Sequence, residues 1–130
     1  MISSTGVDLV EIARIKKAIA RNDKFTEKIM TATERQQCGE GGNRTETIAG
    51  IFSAKEAVAK VLGTGIGKVS WQEIKILKNA SGAPYAELEG KAKEMANQKS
   101  IKHIHVSITH TRDLAMAFAI GESGASKEGK

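Results

Sequence analysis

The chain is predicted to be an α+β protein in which helices pack on a small antiparallel sheet. Residues 103–109 and 114–120 show period-two alternation, which belongs to strands. Residues 9–19 and 45–62 repeat apolar side chains every three or four positions, as one helix face does. The polar turn 79–84, set between two short apolar runs, marks a hairpin.

Taken in order, residues 2–8 read as a strand, with Gly6 as a bulge. Leu9, Ile12, Ile15 and Ile19 then form a helical stripe opposite Glu11, Arg14, Lys16, Lys17 and Arg21. Thr31 and Glu34 have capping-box spacing, so a second helix starts there. Residues 38–44 are glycine-rich and polar, hence a loop. The longest helix spans about 45–62. Ile48, Ile51, Phe52, Val58, Val61 and Leu62 share its apolar arc, and Gly63 is its stop. Lys55 projects into that arc, and a snorkelling stem is the expected explanation.

Residues 63–68 form a glycine-rich loop, 69–78 a strand, 85–89 its hairpin partner and 90–100 a helix. In 103–109, Ile104, Val106 and Ile108 oppose His103, His105, Ser107 and Thr109. In 114–120, Leu114, Met116, Phe118 and Ile120 oppose Ala115, Ala117 and Ala119. That strand has no polar face, so both sides are expected to be covered, the alanine side by a helix or a neighbouring subunit. Residues 1–120 make a single domain, and 121–130 are expected to be a disordered tail.

The net charge of +5 calls for an acidic partner: nucleic acid, anionic lipid, an acidic protein or a polyphosphate. Aromatics are only 4% of residues, which leaves few platforms for stacking bases. This counts against the main alternative, a small basic nucleic-acid-binding protein. Cys38 is the single cysteine, so no internal disulfide can form. Asp8 and Glu11 stand where a signal peptide needs an apolar core, and no apolar run approaches the ~20 residues of a membrane span. A cytoplasmic protein without membrane contact is expected.

Several groups carry possible chemistry. Glu56 and Lys60 lie four apart on one helix, as an exposed ion pair or as a metal carboxylate beside a phosphate-binding ammonium. Asp8 sits where strand becomes helix, as a helix-dipole partner or as a second Mg²⁺ ligand. The loop from Gly63 to Lys68, with Thr64 and Gly65, reads as a helix stop or as a phosphate wrap, and it lacks P-loop spacing. His105, Ser107 and Thr109 share a strand face that either meets water or binds a polyphosphate. Between Arg14 and Lys28, six basic residues stand against two acidic ones, a net +4. That stretch is a solvated face or a docking patch, with Phe25 as an apolar anchor.

Three blocks in order, 6–15 (GVDLVEIARI), 52–67 (FSAKEAVAKVLGTGIG) and 105–111 (HVSITHT), resemble the signature blocks of the small, homotrimeric 4′-phosphopantetheinyl transferases, the holo-[acyl-carrier-protein] synthases. The resemblance covers about residues 1–120 and implies transfer of the phosphopantetheine arm of coenzyme A to a serine of an acidic acyl carrier protein. It implies Asp8 and Glu56 as Mg²⁺ ligands, and Lys60 beside the pyrophosphate. It implies Gly63, Thr64, Gly65, Pro84, His105, Ser107 and Thr109 along the coenzyme A cleft. Arg14, Arg21, Lys24, Phe25 and Lys28 would dock the carrier. The serine proton would pass to Glu56 or to a water on the cation. Two positions depart from the pattern: Ile51, where an arginine is common, and Ala83, where a lysine is common. Both remove a positive charge near the nucleotide, so its contacts are expected to be weaker or to be made by Arg44 or Lys68 instead.

Overall fold

The computed structural model describes residues 1–124. Its elements in order are β1 (Ile2–Glu11), α1 (Ile12–Arg21), α2 (Phe25–Ile29), α3 (Ala32–Cys38), α4 (Arg44–Leu62), a 3₁₀ turn (Trp71–Glu73), β2 (Ile74–Lys78), β3 (Pro84–Leu88), α5 (Gly90–Gln98), β4 (Ile101–His110) and β5 (Leu114–Ser123). An antiparallel sheet in the order β1-β5-β4 and a separate β2-β3 hairpin enclose α4. This is the expected α+β arrangement.

The long helix lies directly on the sheet because small residues meet there. Gly50 and Ala57 of α4 face Ile108 and Gly6 of the sheet, and Ala115, Ala117 and Ala119 of β5 are buried. Gly6 is not a bulge: it pairs in register with Ala119, and the irregularity falls between Ile2 and Ser4. Gly6 is needed for approach, since a Cβ there would sit 2.0 Å from the Ala57 carbonyl oxygen. Gly50 faces Ile108, and Gly121 faces Val61, in the same way. The alanine side of the last strand is therefore covered by a helix, not by a neighbouring subunit.

Other expectations are corrected. Leu9 belongs to β1, where it pairs with Met116 and is 58% exposed; the helical stripe begins at Ile12. Ladder hydrogen bonds to β5 outweigh a helical position at that point, and the Ile12 N–H is instead held by Asp113 O (2.9 Å). The 69–78 strand is shortened to 74–78. Glu73 accepts the Ser70 and Lys91 N–H groups (2.9 and 2.8 Å), which folds 71–73 into a turn. The expected end at residue 120 is passed: Gly121 to Ser123 continue β5, with Glu122 opposite His103. The remainder of the expected tail, 125–130, lies outside the described residues. The capping box at Thr31 forms as read, and Gly63 ends α4 at φ +76°.

Lys55 does not snorkel. It is fully buried and ion-paired with the equally buried Glu34 at 2.8 Å. Burial pushes the Lys55 ammonium below its ordinary range, and Glu34 opposes that shift.

Within one chain the alanine face of β5 is the covered one. Leu114, Met116 and Phe118 project from the other side with Val7 and Leu9, all 37–58% exposed.

Gly6→Ala is expected to destabilise the fold by more than the ~1–3 kcal/mol usual for overpacking, because the clash is with backbone and no rotamer relieves it. Gly42→Ala, at an open position, is the control and should stay within ~0.5 kcal/mol. Thermal and urea unfolding of the two variants check this.

Candidate active site

Strand period two places Asp8 on the same face as Gly6, turned toward α4. Helix period places Ser53, Glu56 and Lys60 on the facing side of α4. Close packing at Gly6 thus brings an aspartate, a glutamate, a hydroxyl and an ammonium together. Lys60 Nζ donates to Val7 O (2.7 Å) and lies 3.6 Å from Asp8 Oδ1. The Asp8 side chain is only 18% exposed, while that of Lys60 is half exposed at the rim.

Two desolvated carboxylates share this site. Burial raises the Asp8 carboxyl above its ordinary value, against the pull of Lys60, Ser53 and Arg14. Burial also raises Glu56, and the negative charge of Asp8 raises it further. Two desolvated carboxylates that repel each other gain from a bound cation. Among the described residues no group of three or more His, Cys, Asp or Glu could hold a metal. A pair of carboxylates suits Mg²⁺, which takes its remaining ligands from phosphate oxygens and water.

Ser53 escaped the sequence reading. It is fully buried, and its hydroxyl lies between the Asp8 carboxylate and Ala115 O (3.4 Å), the charged group being the stronger acceptor. Its place three residues before Glu56 on one helix face was the available signal.

The remaining candidates are distributed unevenly. The Gly63–Gly67 loop follows Lys60 directly, with positive φ at Gly63, Gly65 and Gly67. Its N–H groups do not form a phosphate wrap. Those of Gly63, Thr64, Gly65 and Gly67 are taken by Lys60 O, Ala59 O, Ala59 O and Val69 O. His105, Ser107 and Thr109 sit opposite Ile120, Phe118 and Met116, on the sheet face away from Asp8. Within one chain the structure does not bring these three to the carboxylates. His105 Nε2 instead meets Glu122 at 2.8 Å, which lowers the Glu122 carboxyl.

Pro84 lines a cavity of about 240 Å³ with Cys38, Ile51, Leu77, Lys78 and His110. The lysine in that wall is Lys78. Arg44, expected there, gives its Nε to Gly39 O.

Arg14, Arg21, Lys24 and Lys28 are exposed. Phe25 is not a free anchor: it is half buried and stacks on Phe52, which packs on Trp71. This interior cluster removes three of the few aromatics from any role in stacking bases.

The fold and the site define a small α+β protein with two neighbouring desolvated carboxylates beside a lysine, and comparison with known proteins gives its class. A family model described as the 4′-phosphopantetheinyl transferase superfamily matches residues 4–119. The holo-[acyl-carrier-protein] synthase of Caldanaerobacter subterraneus is 48% identical over 119 residues, 92% of this chain and 94% of that protein. The Helicobacter pylori holo-[acyl-carrier-protein] synthase structure in complex with coenzyme A superposes with a TM-score of 0.81 at 35% identity, covering 92% of this chain and 100% of that one. A Bacillus anthracis holo-(acyl-carrier-protein) synthase in complex with CoA (3′,5′-ADP) gives 0.80 at 36% identity, covering 95% and 99%. The chain belongs to the holo-[acyl-carrier-protein] synthase family of that superfamily.

The raised carboxylates carry a signed pH dependence. A folded-state value above the unfolded one means that the folded protein binds the proton more tightly. Stability is then highest below the ordinary glutamate value of 4.5 and falls as pH rises through the folded value. In chelator, Glu56→Gln should therefore melt above the wild type at neutral pH, with the gap closing on acidification. Thermal melts across pH with EDTA read this directly.

Proposed function

We propose that the chain transfers the 4′-phosphopantetheine group of coenzyme A to a serine of an apo-acyl carrier protein. The serine oxygen bonds to the β-phosphorus, the pyrophosphate P–O bond breaks, and 3′,5′-ADP leaves. The observation that carries this reading is the convergence of Asp8, Glu56 and Lys60 at one rim, within the family's signature blocks.

Asp8 and Glu56 would hold a Mg²⁺ ion, which supplies charge neutralisation at the pyrophosphate when bound. Ser53 orients Asp8. Lys60, half exposed, places a positive charge where the leaving phosphate collects negative charge. Phosphoryl transfer depends mostly on positioning and charge, and these residues provide both. Glu56, its carboxyl raised by burial and by Asp8, is the protein group placed to accept the serine proton. The cavity beside Pro84, with Lys78 and Glu46 in its wall, has the size to take part of the nucleotide. The surface of the Gly63–Gly67 loop, with Thr64 and Gly65, would flank the cleft.

Arg14 lies near enough to Asp8 to lower its carboxyl, so the basic surface adjoins the site. Arg14, Arg21, Lys24 and Lys28 would receive the acidic carrier there, with Phe25 beneath them.

The assembly is a homotrimer in this reading. Val7, Leu9, Leu114, Met116 and Phe118 form an exposed apolar face, and His105, Ser107 and Thr109 lie on that same face. Those three would reach a coenzyme A cleft only from a neighbouring copy. Sedimentation at monomer mass would count against this arrangement. A cytoplasmic location follows from the reaction; no helix among the described residues is long and apolar enough to cross a membrane.

Mixing the protein with coenzyme A, Mg²⁺ and apo-carrier, then weighing the carrier, tests the proposal. A carrier of unchanged mass would end it. Asp8→Ala and Glu56→Ala should each cost more than the ~10–100-fold typical of losing an outer-shell metal partner, with the fold retained. Arg14→Glu should raise KM for the carrier well above any change for coenzyme A, and flatten the salt dependence of the rate. Equal effects on both substrates would remove the docking assignment.

A further inference from the structure

The long helix carries two adjacent charged residues with opposite fates. Glu56 faces the cation site, while Lys55 is wholly buried on another side of α4. Its ammonium has three hydrogens, and three acceptors meet it: Ile29 O at 2.6 Å, Glu34 Oε1 at 2.8 Å and Trp71 O at 2.8 Å. Glu34 is equally saturated. Oε1 also takes the Thr31 N–H (2.8 Å), and Oε2 takes the Ile76 N–H (2.7 Å). One residue of α4 is thereby tied to the end of α2, the start of α3, the 3₁₀ turn and β2.

Stability alone is a poor account of such a pair. Desolvating two charges offsets most of their attraction, and neutral replacements are often tolerated. A fully satisfied network instead defines one geometry. This network joins the two parts of the molecule that would meet the two substrates. Ile29 ends the basic segment that begins at Arg14, and Ile76 lies on the hairpin that carries Pro84. Both are tied to α4 one residue before Glu56.

We propose that Lys55 and Glu34 are positioning residues: their buried pair holds Glu56 in register with the basic carrier-facing segment and with the β2-β3 hairpin. The proposal rests on the transferase reading for its catalytic meaning, but the physical coupling can be measured without turnover. Neither residue touches a reacting atom. Their effect passes through the helix position, where a small displacement of a ligand is costly.

The test uses Glu34→Gln combined with Lys55→Met. The double variant removes both charges and, with the amide oxygen turned to the Ile76 N–H, keeps that acceptor; the amide nitrogen then takes the place of Oε1, on the side of the carbonyls that Lys55 leaves, and the Thr31 N–H loses its acceptor. It is expected to unfold cooperatively, while Mn²⁺ affinity in the presence of coenzyme A, read by electron paramagnetic resonance, falls about tenfold. kcat should fall with it, and exchange of the Ile76 amide should accelerate. A folded variant with wild-type Mn²⁺ affinity and wild-type kcat would make the pair a stability feature only and overturn the proposal.

A second measurement needs no variant. Coupling is reciprocal, so Mg²⁺ plus coenzyme A should slow exchange of the Ile76 amide in the wild type by about tenfold. Unchanged exchange on binding would overturn the proposal even if the double variant failed to fold. Should the wild type transfer nothing to the carrier, the transferase reading falls, while the cation and exchange measurements still decide the coupling.

Discussion

The site depends on how closely one helix can approach one strand. At Gly6 the backbone of β1 comes so near Ala57 of α4 that no side chain fits between them. Asp8 follows two residues later on the same face, and Glu56 precedes Ala57 on the helix. A methyl group at position 6 would push the layers apart and separate the carboxylates. Gly50 against Ile108, and Gly121 against Val61, extend the same contact along α4. The alanine row of β5 completes it. Small residues are used here for distance.

A helix so deeply enclosed has little room for charge, yet α4 carries Lys55, Glu56 and Lys60. Each is accommodated differently. Lys55 is buried with every donor satisfied. Lys60 reaches the rim and ties itself to Val7 O. Glu56 is left with a neighbour of its own sign and only partial compensation from Lys60. That imbalance is what a cation and a diphosphate would correct, and local stability is given up for it.

The sheet divides the remaining groups into two sets. Its inner face meets α4 and carries Asp8 beside Glu56 of the helix; its outer face holds the apolar residues of β1 and β5 beside His105, Ser107 and Thr109. If both sets serve one ligand, they do so across two copies of the chain. The basic surface of α1 lies beside the inner set, and Arg14 lowers the Asp8 carboxyl.

Much of this was present in the residue order. Period two in 103–109 and 114–120, the Thr31 capping box and the Gly63 stop are local effects, set by neighbours within a few positions. The three signature blocks carried the family for the same reason, being short and contiguous. Reading failed where a distant partner decided the outcome. Leu9 looked helical until β5 paired with it, Lys55 looked like a snorkelling lysine until Glu34 was folded against it, and Phe25 looked free until Phe52 lay beneath it. Ser53 gave only a weak signal, its helix-face spacing to Glu56, because its meaning comes from Asp8, forty-five positions away in the chain. By itself the sequence determined the elements, their order and the identity of the chemical groups. Only the tertiary structure decided which of those groups meet, since hydrogen bonding and burial between remote segments act on distance in space and leave no periodic trace along the chain.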